Sequence, residues 1–256
     1  MYWSGQEMKI RVIPIILTNG LNVVKGKFFD NWRTVGNVEA IAKLFSNRDV
    51  DELIFLDVNA RKKGGIISSE LVSKFSNILT VPFGVGGGIQ SVDDADLLLS
   101  NGAEKVICGS LAFENINVIE KISNKYGSQA VSVTIDIDEP GNSAFKIISG
   151  TSPAESDALE FAKKLENLGV GEIILQCIGL DGMRQGMDFA NIQKFSENLS
   201  IPLVASSGAG SLDDFTTAAK SGASAVAAGS VFLFSEITPL MVRDHLRASG
   251  FSVRNV

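Results

Sequence analysis

Short apolar runs recur along the chain and alternate with stretches of helical periodicity. The runs are rich in Val, Ile and Leu, and they occupy residues 10–16, 53–56, 81–85, 105–107, 130–135, 172–175, 201–205 and 225–228. Between them, segments such as 38–45 and 156–168 repeat apolar residues every three or four positions, which is typical of amphipathic helices. The alternation predicts eight strand–helix units, and eight parallel strands are the number that closes into a (β/α)8 TIM barrel of class α/β.

The chain also contains an internal repeat. VPFGVGGGIQSVDDADLLLSNGAEKVICGS at 81–110 aligns with IPLVASSGAGSLDDFTTAAKSGASAVAAGS at 201–230, and every matching pair differs by 120 positions, as Gly88 and Gly208 do. We therefore expect a single barrel over residues 1–256, built from two similar half-barrels at about 9–128 and 129–248. In each repeat a serine, Ser91 or Ser211, precedes a predicted helix and is expected to cap it.

Composition excludes several classes of protein. Hydrophobic residues make up 45% of the 256 and charged residues 20%, which predicts a large core and argues against disorder. The net charge is −6 without a basic stripe, so nucleic acid is not an expected partner. No apolar run could span a membrane, and residues 1–9 lack the core of a signal peptide. Cys108 and Cys177 lie in apolar strand-like runs, which indicates buried thiols in a reducing cytoplasm.

Glycine-rich turns follow strands at related places in the two repeats. A bound phosphate needs converging backbone N–H groups at a helix N-terminus, and glycine lets the backbone approach closely. Such turns also occur as simple tight connections, but two copies, each followed by a second Gly–Ser turn, favour phosphate. We therefore predict that a substrate with a phosphate at each end binds at Gly87, Gly88, Gly109, Ser110, Ser207, Gly208, Gly229 and Ser230.

Three aspartates lie where predicted strands end. Asp57 ends the second strand, Asp136 ends the fifth, and Asp181 lies in the loop after the sixth. Because strand C-termini point at the active site of such a barrel, these carboxylates are candidate general acids or bases. Asp181 and the glycine after it are also a common turn pair, whereas Asp136 follows an apolar run and is the least typical of a turn.

Charged residues of alternating sign open four strands that are otherwise apolar, at the opposite end of the predicted barrel: Arg11, Glu52, Lys105 and Glu172. Charges at the bottom of a barrel usually pair in a structural ring, and the residues alone support that interpretation. His245, the only histidine, is predicted to lie on the surface of a helix near the C-terminus.

Several motifs together resemble one known family. VVKG at 23–26, DELIFLD at 51–57, VPFGVGGGI at 81–89, GSQAV at 127–131, LDG with a later glycine at 180–186, and SVF at 230–232 resemble the cyclase subunit of imidazole glycerol phosphate synthase. The similarity runs from about Lys9 to the C-terminus. The resemblance implies a barrel that takes ammonia from a separate glutaminase subunit and uses it on a bisphosphorylated ribulosyl substrate. We expect neither a cofactor nor a metal.

Carried over position by position, the resemblance implies roles for individual residues. The four charged residues match the family's ammonia gate, which raises the gate above simple structural pairing. The glycine turns match its phosphate loops, Asp136 matches its acid on the fifth strand, and Lys25 matches the lysine of its mobile first loop. With the strand-end acids, the predicted catalytic set is Asp136, Asp57, Asp181 and Lys25.

One departure from the family pattern bears directly on catalysis. The family has an aspartate at the end of the first strand, where this chain has Leu17, and no acid occurs within 11–21. Ser207 also replaces a glycine, and Ile15 replaces a cysteine. Because leucine cannot transfer a proton, a mechanism with two carboxylates loses one partner. The aliphatic strand end resembles a divergent branch associated with acetamidino groups on bacterial surface sugars.

Two functions of different kinds remain open. The first is an enzyme subunit that performs the cyclase chemistry of histidine biosynthesis. The second is an ammonia-conducting module that passes ammonia from the glutaminase to a third, amidotransferase-like protein in acetamidino-sugar and lipopolysaccharide biosynthesis. Leu17 favours the second, and the phosphate loops predict a ligand in either case. A sugar-phosphate isomerase of the same barrel type is less favoured, because the isomerase of histidine synthesis also uses an acid on strand 1.

Overall fold

Eight parallel strands close into a barrel in the computed structural model, which describes residues 9–48, 50–147, 152–153 and 157–255. In chain order the described strands are β1 (Arg11–Asn19), β2 (Asn22–Lys27), β3 (Asp30–Asn37), β4 (Leu53–Asp57), β5 (Phe83–Gly86), β6 (Lys105–Cys108), β7 (Val131–Ile137), β8 (Phe145–Ile147), β9 (Ser152–Pro153), β10 (Glu172–Cys177), β11 (Leu203–Ala205) and β12 (Ala225–Ala228). The barrel follows the order β1, β4, β5, β6, β7, β10, β11, β12, and β12 pairs with β1 to close it. The predicted (β/α)8 barrel is confirmed.

Ten helices of the described chain connect these strands. They are α1 (Val38–Ser46), α2 (Ser69–Ile78), α3 (Val92–Ser100), α4 (Ser110–Glu114), α5 (Ile116–Tyr126), α6 (Ala158–Asn167), α7 (Phe189–Ser196), α8 (Leu212–Lys220), α9 (Ser230–Phe234) and α10 (Pro239–Ala248). Ser91 and Ser211 form capping boxes with Asp94 and Asp214, in which side chain and backbone bond reciprocally and satisfy free N–H groups of the first turn. Both predicted helix caps are confirmed.

The elements repeat with the offset that the sequence shows. Helices α3 and α8, strands β6 and β12, and helices α4 and α9 begin and end at positions 120 apart, as Ser110 and Ser230 do. Close contacts repeat as well: a Cβ atom on Gly102 would lie 2.2 Å from the Ser76 hydroxyl, and one on Gly222 would lie 2.3 Å from the Ser196 hydroxyl.

Apolar side chains fill the barrel on both sides of its wall, because successive residues of a strand point to opposite faces. Inside the barrel a small cluster is fully or almost fully buried, and it includes Ile54, Ile107 and Ile174. Outside the wall a larger cluster packs the helices onto the strands. Its aromatic members include Phe55 and Phe75, whose stacked rings lie 4.0 Å apart between centroids.

An antiparallel hairpin, absent from the predicted elements, follows the first barrel strand. Strand β1 continues past residue 16, the predicted end, because Thr18 pairs with Val23 of β2. Strand β2 then pairs with β3. Lys25 was matched to the family's first loop, and in this chain the connection between barrel strand β1 and helix α1 contains the hairpin, with Lys25 on β2.

Helix α6 begins at Ala158. The Asp157 side chain caps it by accepting hydrogen bonds from backbone N–H groups of the first turn. Its predicted start at residue 156 lies outside the described residues, as do residues 1–8, which were expected to lack a signal peptide. Within the described stretches, no helix is both long and apolar enough to cross a membrane.

Candidate functional site

A cavity of about 190 Å³ opens at the carboxyl ends of the barrel strands. The twelve residues predicted to bind phosphate or to act in catalysis all line it: Lys25, Asp57, Gly87, Gly88, Gly109, Ser110, Asp136, Asp181, Ser207, Gly208, Gly229 and Ser230. They meet because parallel strands direct the segments after them to one rim. The structure thus brings the predicted residues together, and their chemical roles remain predictions.

Asp136 is the most deeply perturbed carboxyl group of the cavity. It lies on β7, every residue of which is buried. Burial, assisted by the nearby charge of Asp181, raises the pKa of Asp136 from 3.8 to about 7. Its Oδ1 atom is buried and has no hydrogen-bond partner within the described chain. A carboxyl group in this state can donate or accept a proton near neutral pH.

Lys25 brings a buried positive charge into the same cavity. Its Nζ atom lies 3.8 Å from Oδ1 of Asp181, and both side chains are buried. A Cβ atom on Gly229 would lie only 2.8 Å from Cε and 3.1 Å from Nζ of Lys25. The ammonium group therefore lies between the Asp181 carboxylate and the Gly229–Ser230 turn.

Asp57 has a different environment, since its carboxylate already accepts backbone hydrogen bonds. Oδ2 accepts from the N–H of Gly20 at 3.1 Å, and Oδ1 accepts from the N–H of Asn59 at 2.9 Å. These bonds tie the β1–β2 turn to the loop after β4. The contacts support a structural role for Asp57 at the rim of the cavity.

Each glycine-rich turn contains a glycine that has no room for a side chain. A Cβ atom on Gly88 would lie 1.9 Å from the carbonyl oxygen of Gly65, and one on Gly208 would lie 2.1 Å from that of Gly186. Gly87 has φ +115°, and Ser207 at the related position has φ +72°, which is uncommon for a residue with a side chain. The serine therefore keeps the backbone conformation that its glycine counterpart adopts.

Leu17 faces the cavity from the end of β1, and only 9% of its surface is exposed. Its Cα atom pairs in register with Leu56 of β4, and Ile15 and Trp32 also line this side. The wall is therefore apolar at Leu17 itself, although Asp57, the residue after Leu56, also lines the cavity. The acids Asp136 and Asp181 come from β7 and the loop after β10.

Several cavity residues escaped the sequence analysis. Thr134 and Gln176 line the cavity from inside the barrel, and Gln176 pairs in register with Asp136. The alternation of strand residues was a usable signal, since Gln176 shares a face with Glu172. Arg61, in a short 3-10 helix, and Arg184, in an irregular segment, also line the cavity from connections after strands, where no periodicity marks them.

At the opposite end of the barrel the four predicted gate residues form one ion-pair network. Arg11 bonds to Glu52 at 2.6 Å and also to Glu172, and Lys105 lies 2.9 Å from Glu52 and 3.1 Å from Glu172. The two glutamates are buried, and Ser132 donates a further bond to Glu172 at 2.9 Å. Arg11 and Lys105 lower the pKa of Glu172 although burial opposes them. Each charge is thus paired, as a buried charge requires.

The remaining singled-out residues are the two cysteines, of which Cys108 lines the cavity, and the histidine. Burial raises the pKa of Cys108 and of Cys177 to about 12, with Asp188 assisting at Cys177, so both thiols stay protonated, as expected of buried cysteines. His245 lies on α10 and contacts Asp213 of α8 at 3.0 Å on the outer surface. Across the described ranges, no three His, Cys, Asp or Glu side chains form a metal-binding group.

Comparison with known proteins gives one consistent family. The family described as "Histidine biosynthesis protein" matches residues 11–238. The imidazole glycerol phosphate synthase subunit HisF of Corynebacterium glutamicum strain R is 37% identical over 253 residues, which cover 96% of this chain and 98% of that protein. The HisF subunit of Corynebacterium urealyticum is 39% identical over 244 residues (94% and 96%), and that of Thermobifida fusca is 36% identical over 255 residues (97% and 100%). The chain therefore belongs to the HisF family of imidazole glycerol phosphate synthase subunits.

Proposed function

We propose that this chain is the barrel subunit of a glutamine-dependent complex, with a glutaminase partner docked over the charged end of the barrel. Family membership supports the proposal, and so does the ion-pair network of Arg11, Glu52, Lys105 and Glu172. Ammonia released by the partner enters through this network and reaches the cavity along the barrel interior. Since ammonia is small and uncharged, the apolar side chains there leave it free to diffuse.

The cavity is proposed to bind a ligand with a phosphate at each end. The two crowded glycine turns support this, and so do helices α4 and α9, which begin at the cavity-lining residues Ser110 and Ser230 with no side chain capping their first N–H groups. In crystals grown with sulfate, one anion should contact Gly88, Gly109 and Ser110, and a second should contact Gly208, Gly229 and Ser230. Anions bound only elsewhere on the surface would contradict the proposal.

Leu17 is the observation that carries the finer proposal. A cyclase with paired acids needs proton transfer on both sides of its substrate, but β1 itself places the apolar Leu17 and Ile15 on the cavity wall, and the nearby Asp57 carboxylate already accepts backbone hydrogen bonds. We infer a divergent member of the family that acts in acetamidino-sugar synthesis for bacterial surface polysaccharide. In this role it relays ammonia to a third, amidotransferase-like protein and is a poor cyclase.

A genuine histidine-pathway cyclase, making imidazole glycerol phosphate and aminoimidazole carboxamide ribotide, is the second candidate. The cluster of Asp136, Asp181 and Lys25 favours it, because a carboxyl group with a pKa near 7 beside a buried ion pair suits proton transfer.

Steady-state turnover of the ribulosyl bisphosphate substrate with excess ammonium salt separates the two candidates. The relay proposal expects a rate far below about 1 per second, the lower end of the usual enzymatic range. A rate at or above that value would refute the relay and establish the cyclase. Use of ammonium salt removes any dependence on the glutaminase, so a low rate reports on the cavity alone.

A further inference from the structure

Two arginines occupy equivalent places around the cavity. Arg61, in the loop after β4, forms an ion pair with Glu114 at the end of α4. Arg184, in the loop after β10, donates a hydrogen bond at 3.0 Å to the carbonyl oxygen of Phe234 at the end of α9. Positions 114 and 234 differ by 120, the offset of the internal repeat, whereas the arginines differ by 123 (184 − 61), so similar partners are reached from positions that the repeat does not align; both arginines line the cavity.

Each arginine loop is packed directly against one glycine-rich turn. The loop of Arg61 runs to Gly65, whose carbonyl oxygen occupies the space that a Cβ atom on Gly88 would need. The loop of Arg184 runs to Gly186, which blocks Gly208 in the same way and donates its N–H to the Gly208 carbonyl oxygen at 3.0 Å. We therefore assign the Arg61 guanidinium group to the turn at Gly88 and the Arg184 guanidinium group to the turn at Gly208.

The charged residues around the cavity indicate a role for these arginines in phosphate binding. Lys25 is already paired with Asp181, and the wall also carries Asp57, Asp136 and the cation Lys62. A phosphate monoester carries a charge of about −1.5 to −2 at pH 7, so a bisphosphate brings roughly twice that into the cavity and needs more positive charge than Lys25 and Lys62 supply. Guanidinium groups match phosphate through two parallel hydrogen bonds, which lysine cannot supply.

We propose that Arg61 and Arg184 are paired specificity residues, each of which binds the phosphate at its own turn and together select ligands with two terminal phosphates. This inference rests on the proposed bisphosphate ligand. When a phosphate binds, Arg61 exchanges the Glu114 carboxylate for it, and Arg184 exchanges the Phe234 carbonyl oxygen. Both arginines are partly or fully exposed, so the exchange requires only side-chain rotation.

The test compares Arg61→Gln and Arg184→Gln with two matched controls. Lys63→Gln removes a neighbouring cation that bonds to Asn19, and Arg33→Gln removes a cation that lies 4.5 Å above the Phe234 ring; neither residue lines the cavity. Binding of inorganic phosphate at low ionic strength is measured by titration calorimetry, and crystals soaked in graded sulfate locate the anions. Thermal unfolding is measured for every variant.

Arg61→Gln should raise the sulfate concentration for half occupancy about tenfold at the Gly88–Ser110 side and leave the other side unchanged. Arg184→Gln should do the same at the Gly208–Ser230 side, and both controls should behave as wild type. If anions occupy both turns in the wild-type protein and the arginine variants bind them with unchanged affinity, the inference is overturned. The bisphosphate proposal then still stands. Lower melting temperatures without a change in affinity would show that the arginines only tie loops to helices. A wild-type protein that binds no anion at either turn would sink both proposals.

Discussion

At the scale of single residues, Asp136 combines a chemical use with a cost to folding. A buried carboxyl group is stable when protonated and costly when charged, because the low-dielectric surroundings disfavour the charge. Its folded pKa of about 7 lies above the ordinary value of 3.8. The favourable contribution of the protonated form is complete below pH 3.8 and is lost as the pH rises to about 7. Above that pH the fold carries the full penalty.

Replacing Asp136 by Asn should therefore stabilise the protein at pH 8 and do little at pH 4. At 1.36 kcal/mol per tenfold change in proton affinity, the gain at pH 8 is at most about 4 kcal/mol. Urea unfolding at both pH values measures it. The control is Asp138→Asn: the half-exposed Asp138 carboxylate pairs with Lys146, so its replacement should not stabilise the protein at pH 8. An equal effect of Asp136→Asn at the two pH values would contradict the account.

Leu17 occupies the position where a carboxylate would allow proton transfer on the β1 side of the cavity. Leu17→Asp restores a carboxylate on the β1 side and should raise ammonia-dependent cyclase turnover, by as much as the factor of about 10² to 10⁴ that such groups supply. The new charge faces apolar neighbours such as Leu56, so we also expect a lower melting temperature. Leu17→Asn is the control, since asparagine has the same shape as aspartate but transfers no proton. Equal turnover in the two variants would show that a missing acid does not limit the reaction.

At the scale of elements, the β2–β3 hairpin shows where sequence reasoning stops. Strand–helix alternation and the repeat predicted the barrel elements, because each buries a periodic apolar face. The hairpin has no such face, and its bend places Phe28, Phe29 and Asn31 in left-handed backbone conformations. Phenylalanine is not typical of that conformation, so the turn has no recognisable residue signal. Lys25 could be found by resemblance, but its place on a strand could not.

Gly26 is the residue that allows this hairpin to hold Lys25 in place. A Cβ atom there would lie 1.9 Å from the carbonyl oxygen of Asp30, which is backbone and cannot move aside cheaply. Gly26→Ala should open the hairpin and speed hydrogen exchange over β2 and β3, with the barrel strands unchanged. In Gly36→Ala, the matched control on β3, the added atom meets only the tip of the Ile41 side chain at 3.2 Å. Similar exchange in both variants would contradict this account.

At the scale of the whole molecule, the two ends of the barrel hold different kinds of electrostatic arrangement. In the cavity one buried oxygen of Asp136 has no hydrogen-bond partner within the described chain, whereas at the bottom each of Arg11, Glu52, Lys105 and Glu172 contacts an opposite charge. The sequence predicted the positions of both, because strand direction and the period of two fix which residues reach each end. It could not predict Arg61 and Arg184, which reach the cavity from loops without a pattern.

The bottom network gives the last prediction, which separates a gate from a structural ring. Lys105→Glu places a third acid beside Glu52 and Glu172 and leaves Arg11 as their remaining partner. If ammonia from the glutaminase passes here, the variant should lose much more glutamine-dependent than ammonium-dependent activity, because ammonium salt supplies the cavity from its open rim. Both activities of the complex are measured by product formation under saturating glutamine or ammonium.

Two further variants keep this test interpretable. Lys105→Met removes the charge without adding an acid, so it should show the same imbalance even if the reversal unfolds the protein. Lys125→Glu reverses a lysine that pairs with Asp96 on the outer surface of α5, and it should leave the ratio of the two activities unchanged. The ratio, and not the absolute rate, carries the argument, because a general loss of stability lowers both activities together. Equal losses in both assays for Lys105→Met would show that these four residues form only a structural ion-pair network. The route of ammonia would then remain unassigned.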